Sequence, residues 1–109
     1  MPAGTGGYTQ PPAALQGPAR MARLFEALGD PWRLEIVLQL YRQGECTCNE
    51  LNCGRPKSTM SHHFRVLREA GLVHTRIEGV THVNRLCREE LERDFPGLLE
   101  TILRAAPKP

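Results

Sequence analysis

The chain has 109 residues, 40% of them apolar, and a formal net charge of +2. That length holds one small domain with one core, a size that commonly gains further burial by dimerising. No 18-residue apolar run is present to span a membrane, and no charged start followed by an apolar stretch marks a secretory signal, so a cytoplasmic protein is expected.

Residues 1–18 are rich in glycine and proline and nearly uncharged, which predicts a flexible tail ahead of a domain over residues 19–104. From Ala19, the spacing of Met21, Leu24, Phe25 and Leu28 is helical, and Gly29 stops it. Asp30-Pro31 supplies an N-cap and a proline for the first turn of a second helix. That helix places Leu34, Val37, Leu38 and Tyr41 on one face, widened by Ile36 and Leu40, and ends at Gly44. A short helix is predicted from Thr47 to Asn52.

Arg55-Pro56 opens the most informative stretch, a helix that stops at Gly71. With Ser58 at 0° and 100° per residue, Met60, His63, Phe64, Leu67 and Ala70 fall between about 120° and 240°, a packing stripe. Ser58, Ser61, His62 and Arg65 fall within about 60° of zero, on the opposite side. A helix that packs with one face and offers hydroxyls, a histidine and an arginine on the other suits a DNA major groove.

Leu72–Ile77 and Thr81–Leu86 then flank Glu78-Gly79-Val80, a β-hairpin pattern whose tip would bring Arg76 and His82 together as a wing. A final helix is predicted from about Arg88 to Leu103, kinked or restarted at Pro96, and residues 105–109 fray. The order is mostly α with one β-hairpin, a winged helix-turn-helix. Charge follows it: residues 55–88 hold seven arginines and lysines against two glutamates, whereas both flanking regions are net negative. A basic segment in a slightly acidic chain is the footprint expected of phosphate contact.

Two stretches resemble a known family. Leu28-Gly29-Asp30-Pro31-Trp32-Arg33-Leu34 is similar to its opening motif. Ser58-Thr59-Met60-Ser61-His62-His63-Phe64-Arg65-Val66-Leu67-Arg68-Glu69-Ala70-Gly71-Leu72-Val73 is similar to its recognition helix. The family is the arsenic-repressor (ArsR/SmtB-type) group of bacterial transcriptional regulators. The resemblance implies a homodimer built through the first and last helices, seated on a palindromic double-stranded DNA operator and released by an inducer. It implies that Ser58, Thr59, Ser61, His62 and Arg65 face the major groove. Arg55 and Lys57 would hold phosphates at the helix start. Relatives usually carry a basic residue where this chain has Val80, so Arg76 and His82 are the expected wing contacts.

Glu45-Cys46-Thr47-Cys48-Asn49-Glu50-Leu51 resembles the box in which arsenic-, lead- and cadmium-sensing members bind their metal, with Cys53 a third candidate ligand. Thiolates suit As(III) and other soft ions. Cys46 and Cys48 lie about 200° apart on a regular helix, and Cys53 about 10 Å from Cys46 along it, so convergence requires an irregular start and a turn at Gly54. Three readings stay open: soft-metal sensing, thiol redox sensing that includes Cys87, and inert small hydrophobes. A winged-helix module without metal response is a further alternative. No enzyme is expected, since the sequence shows neither a phosphate-cradling glycine loop nor a carboxylate pair placed to line a pocket.

Overall fold

The computed structural model describes residues 17–106, so most of the expected tail and the last three residues lie outside it. Helix α1 (Gly17–Leu28) starts two residues before the expected position. Pro18 fits its first turn, where a missing N–H costs nothing. Helix α2 (Pro31–Gln43) is capped as predicted: Asp30 Oδ1 accepts from the backbone N–H of Trp32 at 2.9 Å and of Arg33 at 3.2 Å. Its inner face is rolled from the expected one. Ile36, Val37 and Leu40 are buried, whereas Leu34, Leu38 and Tyr41 are half-buried. Gly44 ends the helix at φ +92°, a conformation that only glycine adopts freely.

Strand β1 (Glu45–Thr47) replaces the first residues of the expected short helix, which is confined to α3 (Cys48–Asn52). Three residues are too few to show an alternation, and only pairing with a distant strand makes them extended. Thr47 caps α3 in a reciprocal box with Glu50. Helix α4 (Lys57–Glu69) is followed by β2 (Val73–Glu78) and β3 (Thr81–Leu86), joined by a two-residue turn with Gly79 at φ +62°. The antiparallel sheet runs β1-β3-β2.

The expected last helix is two: α5 (Arg88–Asp94) and α6 (Leu98–Ala105). Pro96 lacks the N–H that would continue the ladder, so the chain restarts there. One core joins Leu24, Ile36, Leu40, Leu51, Met60, Leu67, Leu72 and Leu91, each at most 2% exposed. Under the sheet, Thr75 and Asn84 are buried but satisfied. Thr75 Oγ1 donates to Asn84 Oδ1 at 2.6 Å, and Asn84 Nδ2 reaches Cys46 O and Cys48 Sγ, each at 3.3 Å. Helices α3 and α4 with the β2–β3 hairpin behind them make a winged helix-turn-helix.

Candidate nucleic-acid interface

Every residue of the predicted packing stripe of α4 is buried: Met60, His63, Phe64, Leu67 and Ala70. Burying those side chains aims the opposite face outward, where Lys57, Ser58, Thr59, Ser61, His62 and Arg65 are all exposed. No side chain caps the start of α4, so its first-turn amides add their partial positive charge beside Lys57. Among the described residues, no carboxylate stands within ion-pair distance of Lys57 or Arg65. A cleft of about 450 Å³ separates this face from the wing, lined among others by Cys48, Lys57, Ser61, Phe64, Val80 and His82.

The wing divides the two residues expected to work together. His82 pairs with Ile77 and Arg76 with Val83, so adjacent register positions send the two side chains to opposite faces of the sheet. His82 is exposed and faces the cleft. Arg76 lies on the far face. It donates to Glu45 Oε2 at 2.7 Å and Oε1 at 3.1 Å, and to Glu78 Oε2 at 2.6 Å. The guanidinium in turn holds the Glu45 carboxyl below the ordinary carboxylate range. Arg76 therefore does not join the α4 face, because two carboxylates already neutralise it.

Arg55 is also occupied. It pairs with Glu35 at 2.8 Å and stacks on the Trp32 ring at 4.3 Å, with its Nη1 atom buried and unbonded. That arrangement anchors the start of α4 to α2. Those contacts join segments remote in sequence, so the local pattern of α2 carries no sign of them.

The cysteines do not converge. Cys46 is 2% exposed, with its thiol donating to Gln43 Oε1 at 3.1 Å, and burial raises its pKa. Cys48 is half-buried at the start of α3 and Cys53 is exposed at its other end, in the left-handed region at φ 54°. Among the described residues, no group of three or more histidines, cysteines, aspartates or glutamates is placed to hold a metal ion. Within one copy, Cys46, Cys48 and Cys53 are thus not assembled into a three-sulfur site as they stand. Burial, and then Glu90, push the Cys87 thiol up to about 11, which keeps it protonated and a poor nucleophile at neutral pH.

An exposed, basic helix face beside a wing defines a DNA-binding regulator of the winged helix-turn-helix class. Residues 28–76 match a helix-turn-helix domain model. The chain is 42% identical over 84 residues to the uncharacterized HTH-type transcriptional regulator YceK of Bacillus subtilis, covering 74% of this chain and 84% of that protein. It is 38% identical over 68 residues to a cadmium resistance transcriptional regulatory protein CadC homolog of Staphylococcus aureus, covering 61% of this chain and 56% of that one. Among solved structures, it resembles a homodimeric winged helix-turn-helix DNA-binding domain from Mycobacterium bovis at TM-score 0.62 and 29% identity, over 78% of this chain and 79% of that one. The chain belongs to the ArsR/SmtB family of DNA-binding transcriptional regulators. No helix among the described residues is long and apolar enough to cross a membrane.

Proposed function

We propose that this chain is a cytoplasmic repressor, not an enzyme, that binds a palindromic operator as a homodimer and is released by an inducer. The observation that carries the reading is the division of α4 into a wholly buried stripe and a wholly exposed face bearing Lys57, Ser58, Thr59, Ser61, His62 and Arg65. Arg65 would read base edges, since a guanidinium can take a guanine bidentately, and Ser58, Ser61 and His62 would add shorter contacts. Lys57 and the first-turn amides would hold phosphate, and His82 would approach from the wing. Arg55 supports that surface from behind, through Glu35 and Trp32 of α2.

The homodimer would form through α1 and α6. Met21 and Phe25 are 43% and 52% exposed on α1, and Leu98 and Ile102 of α6 remain half-buried. A monomer gains nothing from those side chains in water, and a second copy would cover them. The M. bovis neighbour is itself homodimeric. Residues 19–104 would form the working unit.

Selection of bound sequences from random duplexes, followed by a salt titration, tests the reading. A palindromic site whose affinity falls steeply with salt is expected. Absence of sequence-selective binding, or a flat salt slope, would overturn it. Repeating the titration with As(III), Cd(II) and an oxidant, on wild type and on Cys46→Ser, Cys48→Ser and Cys53→Ser, identifies any thiol-borne inducer response. Release that survives all three substitutions removes the cysteine box from the mechanism.

A further inference from the structure

The packing stripe of α4 contains one residue that packing alone does not explain. His63 is 7% exposed among Met60, Phe64 and Leu67, where an apolar side chain would avoid the cost of burying an imidazole. Its Nδ1 stands 3.1 Å from Arg33 Nη1. The same guanidinium donates through Nε to Ala27 O at 2.7 Å and through Nη2 to Glu26 O at 3.3 Å. Those two carbonyls belong to the last turn of α1, the negative end of its dipole. One side chain of α2 therefore binds α1 and α4 at once.

Arg33 is itself fixed. Its backbone N–H is held by the Asp30 cap, so the first turn of α2 cannot fray. Its neighbour Trp32 meets the His63 ring edge-on, with centroids 5.7 Å apart at 72°, and carries Arg55 on its own face. The first turn of α2 thereby holds α4 at its start and at its middle.

We propose that Arg33 and His63 are positioning residues for operator binding, forming a clamp that fixes the roll of the recognition helix on α1 and α2. An apolar stripe permits a helix to roll by a few degrees at little cost, whereas a hydrogen bond from an anchored guanidinium does not. Roll of α4 matters because His62 and Arg65, next to His63 and two residues beyond it, are the side chains aimed at base edges. The inference rests on the reading of α4 as the recognition helix.

The clamp has a required protonation state. A guanidinium only donates, so Nδ1 of His63 must accept and the ring proton sits on Nε2. The charged and titratable groups facing this ring are Asp30 and Arg33 of the α2 start, Arg55 ahead of α4, and His62 beside it. Burial first, with the cations assisting, holds His63 below the ordinary histidine range, against the pull of Asp30. Protonation would set two donors face to face. It would also draw the ring toward Asp30 Oδ1, 4.0 Å away, which is already committed to capping α2.

The test uses the full chain, an operator duplex and fluorescence anisotropy at fixed salt. His63→Asn places an acceptor near the position of Nδ1 but cannot titrate. His63→Leu keeps the bulk and removes the acceptor, and Arg33→Lys removes the fork. His63→Leu and Arg33→Lys should each lose about tenfold in operator affinity while still melting cooperatively, the cost expected of one charge-assisted hydrogen bond. His63→Asn should stay within about threefold of wild type, as one acceptor replaces another. As pH falls from 6.5 toward 5, wild type should lose affinity relative to His63→Asn, because His63 takes up its proton only below the ordinary histidine range. His62 is common to both proteins and cancels. Equal affinity of the Leu and Asn variants, or wild-type affinity in Arg33→Lys, would overturn the proposal. If His63→Leu does not fold, Arg33→Lys and the pH comparison decide it. Ring ¹⁵N shifts of the DNA-free protein separate the two levels. An unprotonated Nδ1 that shifts in Arg33→Lys supports the clamp. The same spectrum in a wild-type protein that binds no operator overturns the recognition reading, and the positioning role with it.

Discussion

The face of α4 and the outer face of the wing carry the same kind of residue and put it to opposite uses. On α4, Lys57 and Arg65 stand exposed with no carboxylate within ion-pair distance among the described residues. On the wing, Arg76 is bound by Glu45 and Glu78 and the local charge is closed. A count of basic residues along the chain treats the two alike. The difference lies in the partner: Glu45 comes from a strand thirty-one positions away in sequence, so only the β1–β3 pairing brings it to Arg76. A cation with an open shell can attract phosphate, and one already paired must first lose its carboxylates.

The comparison can be broken most forcefully from behind α4. Leu67→Ala empties a fully buried position and should cost about 2–5 kcal/mol of stability by denaturant titration. The exposed face should then be presented only by the folded fraction, so operator binding and folding should fail together. Binding that outlasts unfolding would show that the face does not depend on its buried stripe.

Arg65→Ala should cost about 1–3 kcal/mol in operator binding and relax specificity at one base pair, whereas Lys57→Ala should weaken all sequences alike and lower the salt slope by about one. Arg76→Ala should leave the slope unchanged and alter stability little, since its ion pairs with Glu45 and Glu78 are solvent-exposed. Equal slopes for Lys57→Ala and Arg76→Ala would erase the contrast between the two faces.

Acid sharpens it further. Burial holds both His63 and His74 below the ordinary histidine value of 6.5. The unfolded chain therefore takes up protons first, so their contribution is present above 6.5 and is lost as pH falls below it. Asp94, held down to about 2 by Arg93 and then by Arg20, acts lower. Its contribution is present above 3.8 and disappears as pH falls toward 2. A melting temperature that declines in two steps on acidification is expected, and a flat profile between pH 7 and 5 would count against the neutral, buried His63.

The smallest effect concerns the thiols. Iodoacetamide should label exposed Cys53 rapidly, while Cys46 and Cys87 react slowly in the native protein because burial keeps both thiols protonated. Rapid native labelling of Cys87 would reopen the redox reading.

Local pattern alone determined a great deal. The stripe of α4 was legible to the residue, because a 3.6-residue period against a polar face leaves one orientation that buries Met60, Phe64 and Leu67. The Asp30 cap and the hairpin turn at Gly79 were legible for the same reason: each is chemistry among residues a few positions apart. Strand β1 was not, since three residues carry no period and depend on β3 for their shape. Nor was the burial of α2, whose apolar residues nearly encircle it, so that its neighbours decide which of them turn inward. The partners of the polar groups lay furthest from view. Arg76 closed by Glu45, Arg55 laid on Trp32, and Arg33 joined to His63 are all contacts between segments remote in sequence. Sequence fixes which side chains can donate, accept or carry charge; only the folded chain decides which of them are already satisfied and which are left for DNA.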